Sequence, residues 1–355
     1  MTSRERVLLT INHKEPDRIP ISPPNLIPMD EPFDERVKEF LNSFPFDRFI
    51  RLNFIKTPSE RHQLSEGLFE DGYGCRFEYK GVGDAYCIHH PLAHAQTVED
   101  IEKFPWPDPD EPGLLEEDAV EKAKKISREG KYATVVGIEP IFHRYQWLRG
   151  FDQWLIDLKL HPEIHKFIVE KIYHINLTLT LRLLEKVGNY TDIIALGDDL
   201  GTSTAPFVSP SDFKIHIKPY FKNLIRQIKK EFPHIKFYLH SHGQIMDLVP
   251  DLIDCGVDIL NPILPLDNMD PLKLKKDFGD KLCFEGGVDI EHILPFGSVD
   301  EVREHVKKII DILAPGGGFI FKLQAISPLI SYENLSTAYK IALEYGRYKK
   351  HKGGG

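Results

Sequence analysis

Two histidines separated by one residue are the strongest sign of chemistry in this sequence. His240-Ser-His242-Gly243 directly follows the apolar run of residues 235–239, which has the character of a buried strand. In extended backbone, residues i and i+2 point to the same side, so both imidazoles are able to face one metal ion or one substrate. Histidines at a strand end are also common as hydrogen-bonded loop residues, so the spacing alone leaves both interpretations open.

An alternation of short apolar runs with longer amphipathic stretches predicts the elements that position these histidines. Eight candidate strands each precede a helical stretch, namely residues 49–54, 77–89, 132–138, 192–196, 235–239, 257–260, 282–284 and 318–321. Strands that alternate with helices form a parallel sheet, and eight such units close into a barrel. No GxGxxG turn or phosphate-binding loop follows a strand, which disfavours a nucleotide-binding open sheet. We therefore predict an α/β fold, a (β/α)8 TIM barrel.

The sequence predicts a single barrel domain over residues 1–352. Within it, residues 1–45 are expected to form an N-terminal extension that packs on the barrel. This extension has helical stretches at residues 3–11 and 34–41, joined by the proline-rich residues 19–32. The glycines at 353–355 are expected to be a flexible tail.

Composition excludes several classes of function. With 54 acidic and 45 basic residues, the net charge of −9 argues against a nucleic-acid surface. No apolar run approaches the length of a membrane span, and residues 1–6 lack the apolar stretch of a signal peptide, so we expect a cytoplasmic protein without membrane contact. The four cysteines, at positions 75, 87, 255 and 283, form no CxxC pair and are expected to be reduced thiols. The composition carries no signal of oligomeric state.

Active sites of such barrels lie at the carboxyl ends of the strands, where this sequence is rich in polar residues. The predicted strand ends carry Arg51, Asn53, Glu139, Asp198, Asp199, His240, His242, Asn261, Glu285, Asp289, Lys322 and Gln324. Their convergence at one rim predicts a concave, ligand-binding mouth.

Individual members of this rim also have structural explanations. Asp198 is able to cap the helix that follows it, and Asn261 is able to start a turn before Pro262. Glu139 is able to form an ion pair with Arg144 or Arg149. These alternatives remain open for each residue taken alone.

Motifs along nearly the whole chain resemble the uroporphyrinogen decarboxylase superfamily. In chain order they are Ser3-Arg-Glu-Arg-Val with Glu15-Pro-Asp-Arg-Ile-Pro20, His90-Pro-Leu, Gly197-Asp-Asp-Leu-Gly201, His240-Ser-His-Gly243, Gly256-Val-Asp-Ile-Leu-Asn-Pro262, Gly286-Gly-Val-Asp289 and Glu333-Asn334. The resemblance implies the same (β/α)8 barrel. It is strongest to the divergent branch that includes corrinoid-dependent methyltransferases.

Departures from the family pattern argue against tetrapyrrole decarboxylation. The decarboxylases carry an arginine-rich RQAGRY-type segment that grips substrate carboxylates, whereas this chain has Pro20-Ile-Ser-Pro-Pro24 and Met29-Asp-Glu-Pro in that region. The aspartate of their Phe-Ser-Asp-Ile-Leu motif has no clear counterpart at residues 51–57. Gln324 stands where the decarboxylases have a histidine.

The methyltransferases of the family that activate a thiol also differ from this chain. They hold zinc with a His-x-Cys pair and a later cysteine, and the corresponding residues here are His240, His242 and Gln324. Because a carboxamide is a poor zinc ligand, zinc on the two histidines would need a third ligand such as Asp199 or Glu285. Loss of the sulfur ligands suits a methyl donor with an oxygen leaving group, which needs an acid or a metal to stabilise the departing oxygen.

The resemblance implies a methyltransferase that moves a methyl group between a small methylated substrate and the cobalt of a corrinoid. An aromatic methyl ether is one candidate substrate, and the corrinoid (methylcobalamin) is expected on a separate protein because no Asp-x-His-x-x-Gly motif is present. The expected catalytic residues are Glu139, Asp199, His240 and Lys322, with His240 and His242 as the metal ligands. The expected substrate-binding residues are Asn53, Tyr145, Asp198, Asn261, Glu285 and Gln324, and Phe142 and Trp147 are further candidates for stacking on an aromatic substrate.

Two alternative functions remain open at this point. One is a decarboxylase of a small carboxylic acid, which Lys322 and Arg51 would hold. The other is a barrel without catalytic activity that binds a ligand or a partner protein.

Overall fold

The structure is a computed structural model, which describes residues 1–27 and 32–348. The predicted tail at 353–355 and part of the proline-rich stretch therefore lie outside the described residues. The strands are β1 (Asn25–Leu26), β2 (Phe49–Arg51), β3 (Arg61–Ser65), β4 (Leu68–Asp71), β5 (Arg76–Glu78), β6 (Tyr86–His89), β7 (Ala133–Ile138), β8 (Ile193–Gly197), β9 (Lys236–His240), β10 (Ile259–Ile263), β11 (Cys283–Gly287), β12 (Phe319–Lys322) and β13 (Ala325–Ile326).

Helices connect these strands on the outside of the molecule. They are α1 (Ser3–Ile11), α2 (Glu35–Ser43), α3 (Val98–Glu102), α4 (Ala119–Glu129), α5 (Phe142–Arg149), α6 (Phe151–Leu160), α7 (Pro162–Val187), α8 (Pro210–Asp212), α9 (Lys218–Glu231), α10 (Val249–Cys255), α11 (Pro271–Phe278), α12 (Ile293–Phe296), α13 (Val299–Leu313) and α14 (Tyr332–Tyr345). No helix in the part of the chain that the structure describes has the length and hydropathy that a membrane crossing needs.

The central sheet confirms the predicted (β/α)8 TIM barrel. Seven strands pair in parallel in the order β2-β7-β8-β9-β10-β11-β12, and helices separate them along the chain. Each of these seven strands overlaps a predicted one. The sheet curls so that its inner face encloses the barrel interior and its outer face packs on the helices.

The prediction of a barrel strand at residues 77–89 is wrong. β5 and β6, which cover this region, belong to a separate antiparallel sheet with the order β3-β4-β5-β6. The strands of this region carry aromatic and apolar residues that favour extended structure, such as Phe77, Tyr86 and Ile88. Their sequence therefore predicts extended structure but does not distinguish parallel from antiparallel pairing.

The proline-rich segment takes the eighth position of the barrel. The Ser22 N–H donates to the Phe321 carbonyl at 2.8 Å, and the Phe321 N–H donates to the Pro20 carbonyl at 2.9 Å. On the opposite side, the Asp47 N–H donates to the Ile21 carbonyl at 2.8 Å, directly before β2. Prolines lack the N–H that a central strand uses, so this segment has the composition of a linker. It still pairs through the backbone groups that its prolines leave.

Helix α1 closes the amino end of the barrel. Its buried residues Val7 and Ile11 pack against the inward-facing Ile193, Ile259 and Ile320. The predicted N-terminal extension therefore contributes both a plug for the barrel and one strand of its wall.

The inner rows of β7 and β8 both end in glycine at the carboxyl ends of the strands. Branched side chains usually fill the interior of such barrels, and glycine leaves space instead. The inward-facing residues are, from the amino end, Ala133, Val135 and Gly137 on β7, and Ile193, Ala195 and Gly197 on β8. The two glycines make room for side chains of neighbouring strands, Arg51 beside Gly137 and His240 beside Gly197.

The antiparallel sheet forms a lobe that docks on helix α5. Arg144 of α5 bonds to Asp71 of the lobe at 2.5 Å, and both side chains are buried. The Trp147 ring meets the Phe77 ring edge-on, with 5.4 Å between centroids. These contacts hold the lobe beside the mouth of the barrel.

Candidate functional site

His240 is the last residue of β9, and the chain leaves the sheet directly after it. The loop that follows is held by neighbouring elements: the Ser241 N–H donates to the Asn261 carbonyl at 2.7 Å, and the His242 N–H donates to Asp199 Oδ1 at 2.8 Å. The rings of His240 and His242 lie 4.9 Å apart between centroids and nearly perpendicular, at 83°. The predicted convergence of the two imidazoles is therefore observed.

Both histidines line a cavity of about 600 Å³ at the carboxyl ends of the strands, which we call the mouth cavity. Its polar lining consists of Asn25, Asp84, His143, Asp199, His240, His242 and Gln324. Among the described residues that line it, none is a lysine or an arginine. The cavity has the size of a site for a small molecule, and its ionisable lining consists of imidazoles and carboxylates.

A chain of hydrogen bonds orients the His240 ring. His240 Nδ1 lies 2.7 Å from Asn261 Oδ1, and Asn261 Nδ2 donates to Gln324 Oε1 at 2.9 Å. Because Asn261 uses its amide as a donor to Gln324, its oxygen faces His240 and accepts the Nδ1 proton. This leaves Nε2 as the nitrogen of His240 that is free for a ligand or a proton.

Burial lowers the pKa of His240, and the hydrogen bond from its ring to Asn261 partly offsets this effect. The neutral imidazole is therefore favoured at neutral pH, with its proton on Nδ1 and a lone pair on Nε2. Such a ring accepts a proton at Nε2 and returns it readily.

The donor set of the mouth cavity does not fit a zinc ion. No group of three His, Cys, Asp or Glu side chains among residues 1–27 and 32–348 is arranged to hold a metal. Asp199 uses one carboxylate oxygen for the His242 N–H, and Gln324 offers only a carboxamide. Glu285, the other predicted third ligand, lies in a different cavity.

Glu285 and Lys322 line an inner cavity of about 460 Å³ within the barrel. Glu285 accepts hydrogen bonds from Ser22 Oγ at 2.7 Å and from Tyr238 Oη at 2.6 Å, and Lys322 Nζ lies 3.7 Å away. Burial, together with the charge of Glu285, raises the pKa of Tyr238 well above its usual value. Glu285 and Lys322, both predicted as site residues, therefore lie together in the inner cavity, whereas His240 and His242 line the mouth cavity.

Arg51 enters the same inner cavity. Gly137 of β7 makes room for it, since a Cβ at this position would lie 2.9 Å from Arg51 Nη1. Asn53, predicted to bind substrate, instead joins two strands: its amide donates to the Gly137 carbonyl at 2.7 Å and accepts from the Gly137 N–H at 2.9 Å.

Asp198 is fully buried and caps a helix. Its carboxylate accepts hydrogen bonds from the backbone N–H groups of Ile141, Phe142 and His143 at 2.7 to 3.2 Å. Burial raises the pKa of Asp198 to about 6, against the opposing effects of His143 and these N–H groups. The predicted capping role is thus present, but the capped helix is α5, which precedes Asp198 in the chain.

Glu139 lies beside the lobe. It accepts a hydrogen bond from Ser59 Oγ, and Arg144 Nη2 lies 3.8 Å from its carboxylate. Of the two ion-pair partners that the sequence suggested, the structure brings Arg144 to Glu139, whereas Arg149 bonds to Asp157 at 2.7 Å. Glu139 is not among the residues that line the mouth cavity.

The three aromatic residues after β7 have different surroundings. Tyr145 is fully buried and donates to Asp157 at 3.0 Å, and Phe142 packs on Phe221 with 5.6 Å between ring centroids. Trp147 stacks on His143 at 5.2 Å and 14°, and His143 lines the mouth cavity. Tyr145 and Phe142 are therefore core residues, and Trp147 supports the cavity from behind.

Several cavity residues were not predicted from the sequence. His143 lies in the first turn of α5, Asp84 lies in a Gly-rich turn of the lobe, and Asn25 follows two prolines in the N-terminal strand segment. None of these three residues lies at the carboxyl end of a predicted barrel strand, so the strand pattern does not indicate them. The Gly81-Val-Gly-Asp84 turn is a signal that was available for Asp84.

Comparison with known proteins adds a family to this geometry. The sequence profile described as "Uroporphyrinogen decarboxylase (URO-D)" matches residues 71–345. A uroporphyrinogen decarboxylase of Chlorobium phaeobacteroides is 24% identical over 149 residues, which are 42% of this chain and 39% of that protein. One from Rickettsia felis is 25% identical over 194 residues, 54% of this chain and 50% of that protein. These alignments thus span half or less of the curated relatives.

One solved structure resembles the whole chain. A methyltransferase from Methanosarcina mazei superposes with a TM-score of 0.67 at 17% identity, and the superposition covers 97% of this chain and 99% of that one. At this identity, the likeness establishes a shared fold.

Proposed function

Because this chain belongs to the uroporphyrinogen decarboxylase (URO-D) family, we propose that it is one of the family's divergent methyltransferases. In this proposal it moves a methyl group between a small methylated substrate and the cobalt of a corrinoid on a separate protein. The observation that carries the proposal is the mouth cavity: it presents the Nε2 of an oriented, partly buried His240 and has no lysine or arginine among the described residues of its lining.

The charge of the mouth cavity argues against a tetrapyrrole polyacid as its substrate. Asp84 and Asp199 both line it. Several substrate carboxylates would lie against these two acids with no lysine or arginine among the described lining residues to compensate them, and uncompensated charges in a partly buried site are strongly unfavourable. A neutral methyl ether or a similar small molecule does not meet this penalty.

His240 supplies the proton chemistry that methyl transfer from oxygen requires. When the methyl group leaves, the substrate oxygen gains negative charge, and an imidazolium at Nε2 delivers a proton to it. In the reverse direction, the neutral Nε2 accepts the proton of the hydroxyl that receives the methyl group. Asn261 keeps the Nδ1 proton in place in both directions, since its oxygen only accepts.

The other groups of the mouth cavity position this exchange. Asp199 holds the His242 backbone, so it fixes the loop that carries the second imidazole. His242 is then placed to hydrogen-bond the substrate oxygen beside His240. Glu139 and Lys322 lie outside the lining of the mouth cavity, and the proposal gives them no part in the proton transfer.

A separate carrier for the corrinoid is consistent with the size of the mouth cavity. At about 600 Å³, it matches a small substrate. A corrinoid macrocycle would approach from outside, on its own protein, and would supply the cobalt that exchanges the methyl group. The fold shared with the Methanosarcina mazei methyltransferase supports methyl transfer as the first activity to test.

The inner cavity favours a second candidate function, decarboxylation of a small acid. Arg51 and Lys322, the two cations expected to hold a carboxylate, both line it, together with Arg48. This activity would use the inner cavity, and the His240 site would have no role in the reaction.

One experiment distinguishes these functions. The protein is mixed with reduced corrinoid and a panel of methyl ethers, and the cobalt absorbance is followed, with His240→Gln and Lys322→Gln as paired variants. We expect a spectral change with at least one donor that His240→Gln abolishes and Lys322→Gln retains. Absence of a change with every donor, together with release of CO₂ from a small acid that depends on Lys322, would establish the second function instead. Absence of both activities would favour a barrel that only binds a ligand.

A further inference from the structure

Two cysteines that are twelve positions apart in the sequence lie together in the lobe. Cys75 directly precedes β5 and Cys87 lies in β6, and these strands pair with Phe77 opposite Cys87. Both sulfurs lie beside one atom, the Trp147 carbonyl oxygen, at 3.4 Å from Cys75 Sγ and 3.7 Å from Cys87 Sγ. The sequence predicts unrelated reduced thiols, so this juxtaposition is a product of the fold.

The two thiols have different surroundings. Cys75 is fully buried, and Arg144 Nη1 lies 3.8 Å from its sulfur. Cys87 is only half-buried, and His90 Nδ1 lies 3.6 Å from its sulfur. His90 Nδ1 also lies 2.8 Å from the Trp147 carbonyl oxygen, which only accepts, so this nitrogen carries a proton and is a hydrogen-bond donor beside the Cys87 sulfur. Cys87 is therefore the thiol that a small reagent reaches first.

Direct interaction between the thiols strengthens this difference. The hydrogen bond with Cys87, followed by burial, raises the pKa of Cys75, whereas the hydrogen bond from Cys75 lowers the pKa of Cys87. The nucleophilic form of a cysteine is the thiolate, so Cys87 is the more reactive of the two.

We propose that Cys75 and Cys87 are an oxidation site, at which a hydroperoxide converts the two thiols into an intramolecular disulfide. The Cys87 thiolate attacks one oxygen of hydrogen peroxide, so that the O–O bond breaks, Cys87 becomes a sulfenic acid and the departing hydroxide is protonated to water. The Cys75 sulfur then attacks the Cys87 sulfur, the S–S bond forms and a second water leaves. Two thiols and one peroxide thus give one disulfide and two waters.

This bond would act on the wall of the mouth cavity. The turn between β5 and β6 contains Gly83 and Asp84, both of which line that cavity, and the disulfide would close a ring around this turn. Oxidation would also remove the thiol hydrogens next to the carbonyl of Trp147, whose ring stacks on the cavity residue His143. The site therefore couples oxidation to the shape of the mouth cavity.

The test is to treat the folded protein with hydrogen peroxide, alkylate the remaining thiols after denaturation and map the peptides by mass spectrometry. We expect loss of two of the four thiols and a single cross-linked peptide pair that contains Cys75 and Cys87. A reducing agent should restore both thiols. This mapping uses the unaltered chain, so its result does not depend on whether a variant folds.

Variants provide the matched controls. Cys87→Ser should prevent any loss of thiol at Cys75, whereas Cys255→Ser, which changes a buried cysteine on α10, should leave the cross-link intact. The proposal is overturned if peroxide leaves all thiols free. It is also overturned if Cys87 is oxidised to sulfinic acid while Cys75 stays reduced, or if the cross-link joins two separate chains.

Discussion

The Nδ1 of His240 lies 2.7 Å from the Oδ1 of Asn261, a residue of the neighbouring strand that is itself fully buried. His240 and Asn261 are register partners in the pairing of β9 with β10, so the backbone ladder places the imidazole next to the amide. This contact determines which nitrogen of His240 is available to a substrate. Several consequences of it are measurable.

Replacing Asn261 by aspartate should move the pH dependence of methyl transfer. In the demethylation direction the reactive form is protonated His240, so the rate falls as the pH rises through the pKa of His240. A carboxylate next to Nδ1 stabilises the imidazolium and raises this pKa by about one unit or more. We therefore expect the alkaline limb of the rate profile of Asn261→Asp to move to higher pH by about one unit, and an unmoved limb would refute the assigned contact.

Gln324 makes this substitution feasible. Its carboxamide now accepts from Asn261, and a half-turn of the amide group would present its NH₂ to the new carboxylate. The double variant Asn261→Asp with Gln324→Leu lacks this partner. It should lose stability while its pH limb stays shifted.

Removal of metal ions should leave the activity of the mouth cavity unchanged. No three His, Cys, Asp or Glu side chains among residues 1–27 and 32–348 are arranged to hold a metal, so we expect protein treated with a chelator to keep its methyl-transfer rate and its substrate affinity. Metal analysis of the purified protein gives an independent measurement. One equivalent of zinc per chain, with activity that chelation removes and added zinc restores, would show that the loop rearranges into a metal site.

Asp198→Ala should destabilise the barrel next to the site. The substitution leaves the N–H groups of Ile141, Phe142 and His143 without their acceptor, and buried unpaired donors together with a lost cap cost about 2–4 kcal/mol. Urea denaturation measures this difference. Asp152→Ala, at an exposed position in the first turn of α6, is the control and should change the unfolding free energy by less than about 0.5 kcal/mol.

His165 should make the protein less stable in acid. Burial lowers its pKa to about 4, with a smaller effect of the nearby His216, and neither ring nitrogen has a hydrogen-bond partner among the described residues. An unfolded histidine has a pKa of about 6.5, so the unfolded state binds more protons between these values. The contribution of His165 is therefore fully present above pH 6.5 and is lost as the pH falls toward 4, by up to about 3 kcal/mol.

His165→Phe removes this titration and keeps an aromatic ring against Tyr145. We expect its unfolding free energy to decline less steeply between pH 6.5 and 4.5 than that of the unaltered protein, in urea denaturation at several pH values. Equal slopes would mean that protonation of His165 does not contribute to the loss of stability in acid.

The sequence predicted the elements of the barrel better than the partners of its polar residues. Seven strands followed from apolar runs because a parallel strand is buried on both faces. The eighth was missed because Pro20, Pro23 and Pro24 give this segment the composition of a linker, although its remaining backbone groups bond to β12 on one side and to Asp47 before β2 on the other.

The candidate site was predicted in part for a related reason. His240, His242, Asp199, Asn261 and Gln324 converge at the mouth, as their positions at strand ends indicate. Polar residues at a strand end are equally suited to a cap, an ion pair or a bond between strands. Which of these roles a residue adopts depends on groups that distant segments bring to it. Asp198 meets backbone N–H groups at the start of α5, Glu139 meets Ser59 next to the lobe, and Asn53 meets the backbone of β7.

The central claim is that His240 transfers the proton that accompanies methyl transfer. The most direct measurement compares the initial rates of cobalt methylation by the unaltered protein, His240→Gln and the exposed control His234→Gln, over a range of methyl-donor concentrations up to saturation and with equal corrinoid. Because proton transfer by a positioned side chain contributes about 10²–10⁴-fold, we predict that His240→Gln lowers kcat by at least about 10²-fold with little change in KM, and that the control matches the unaltered protein. An unchanged kcat in His240→Gln would contradict the claim.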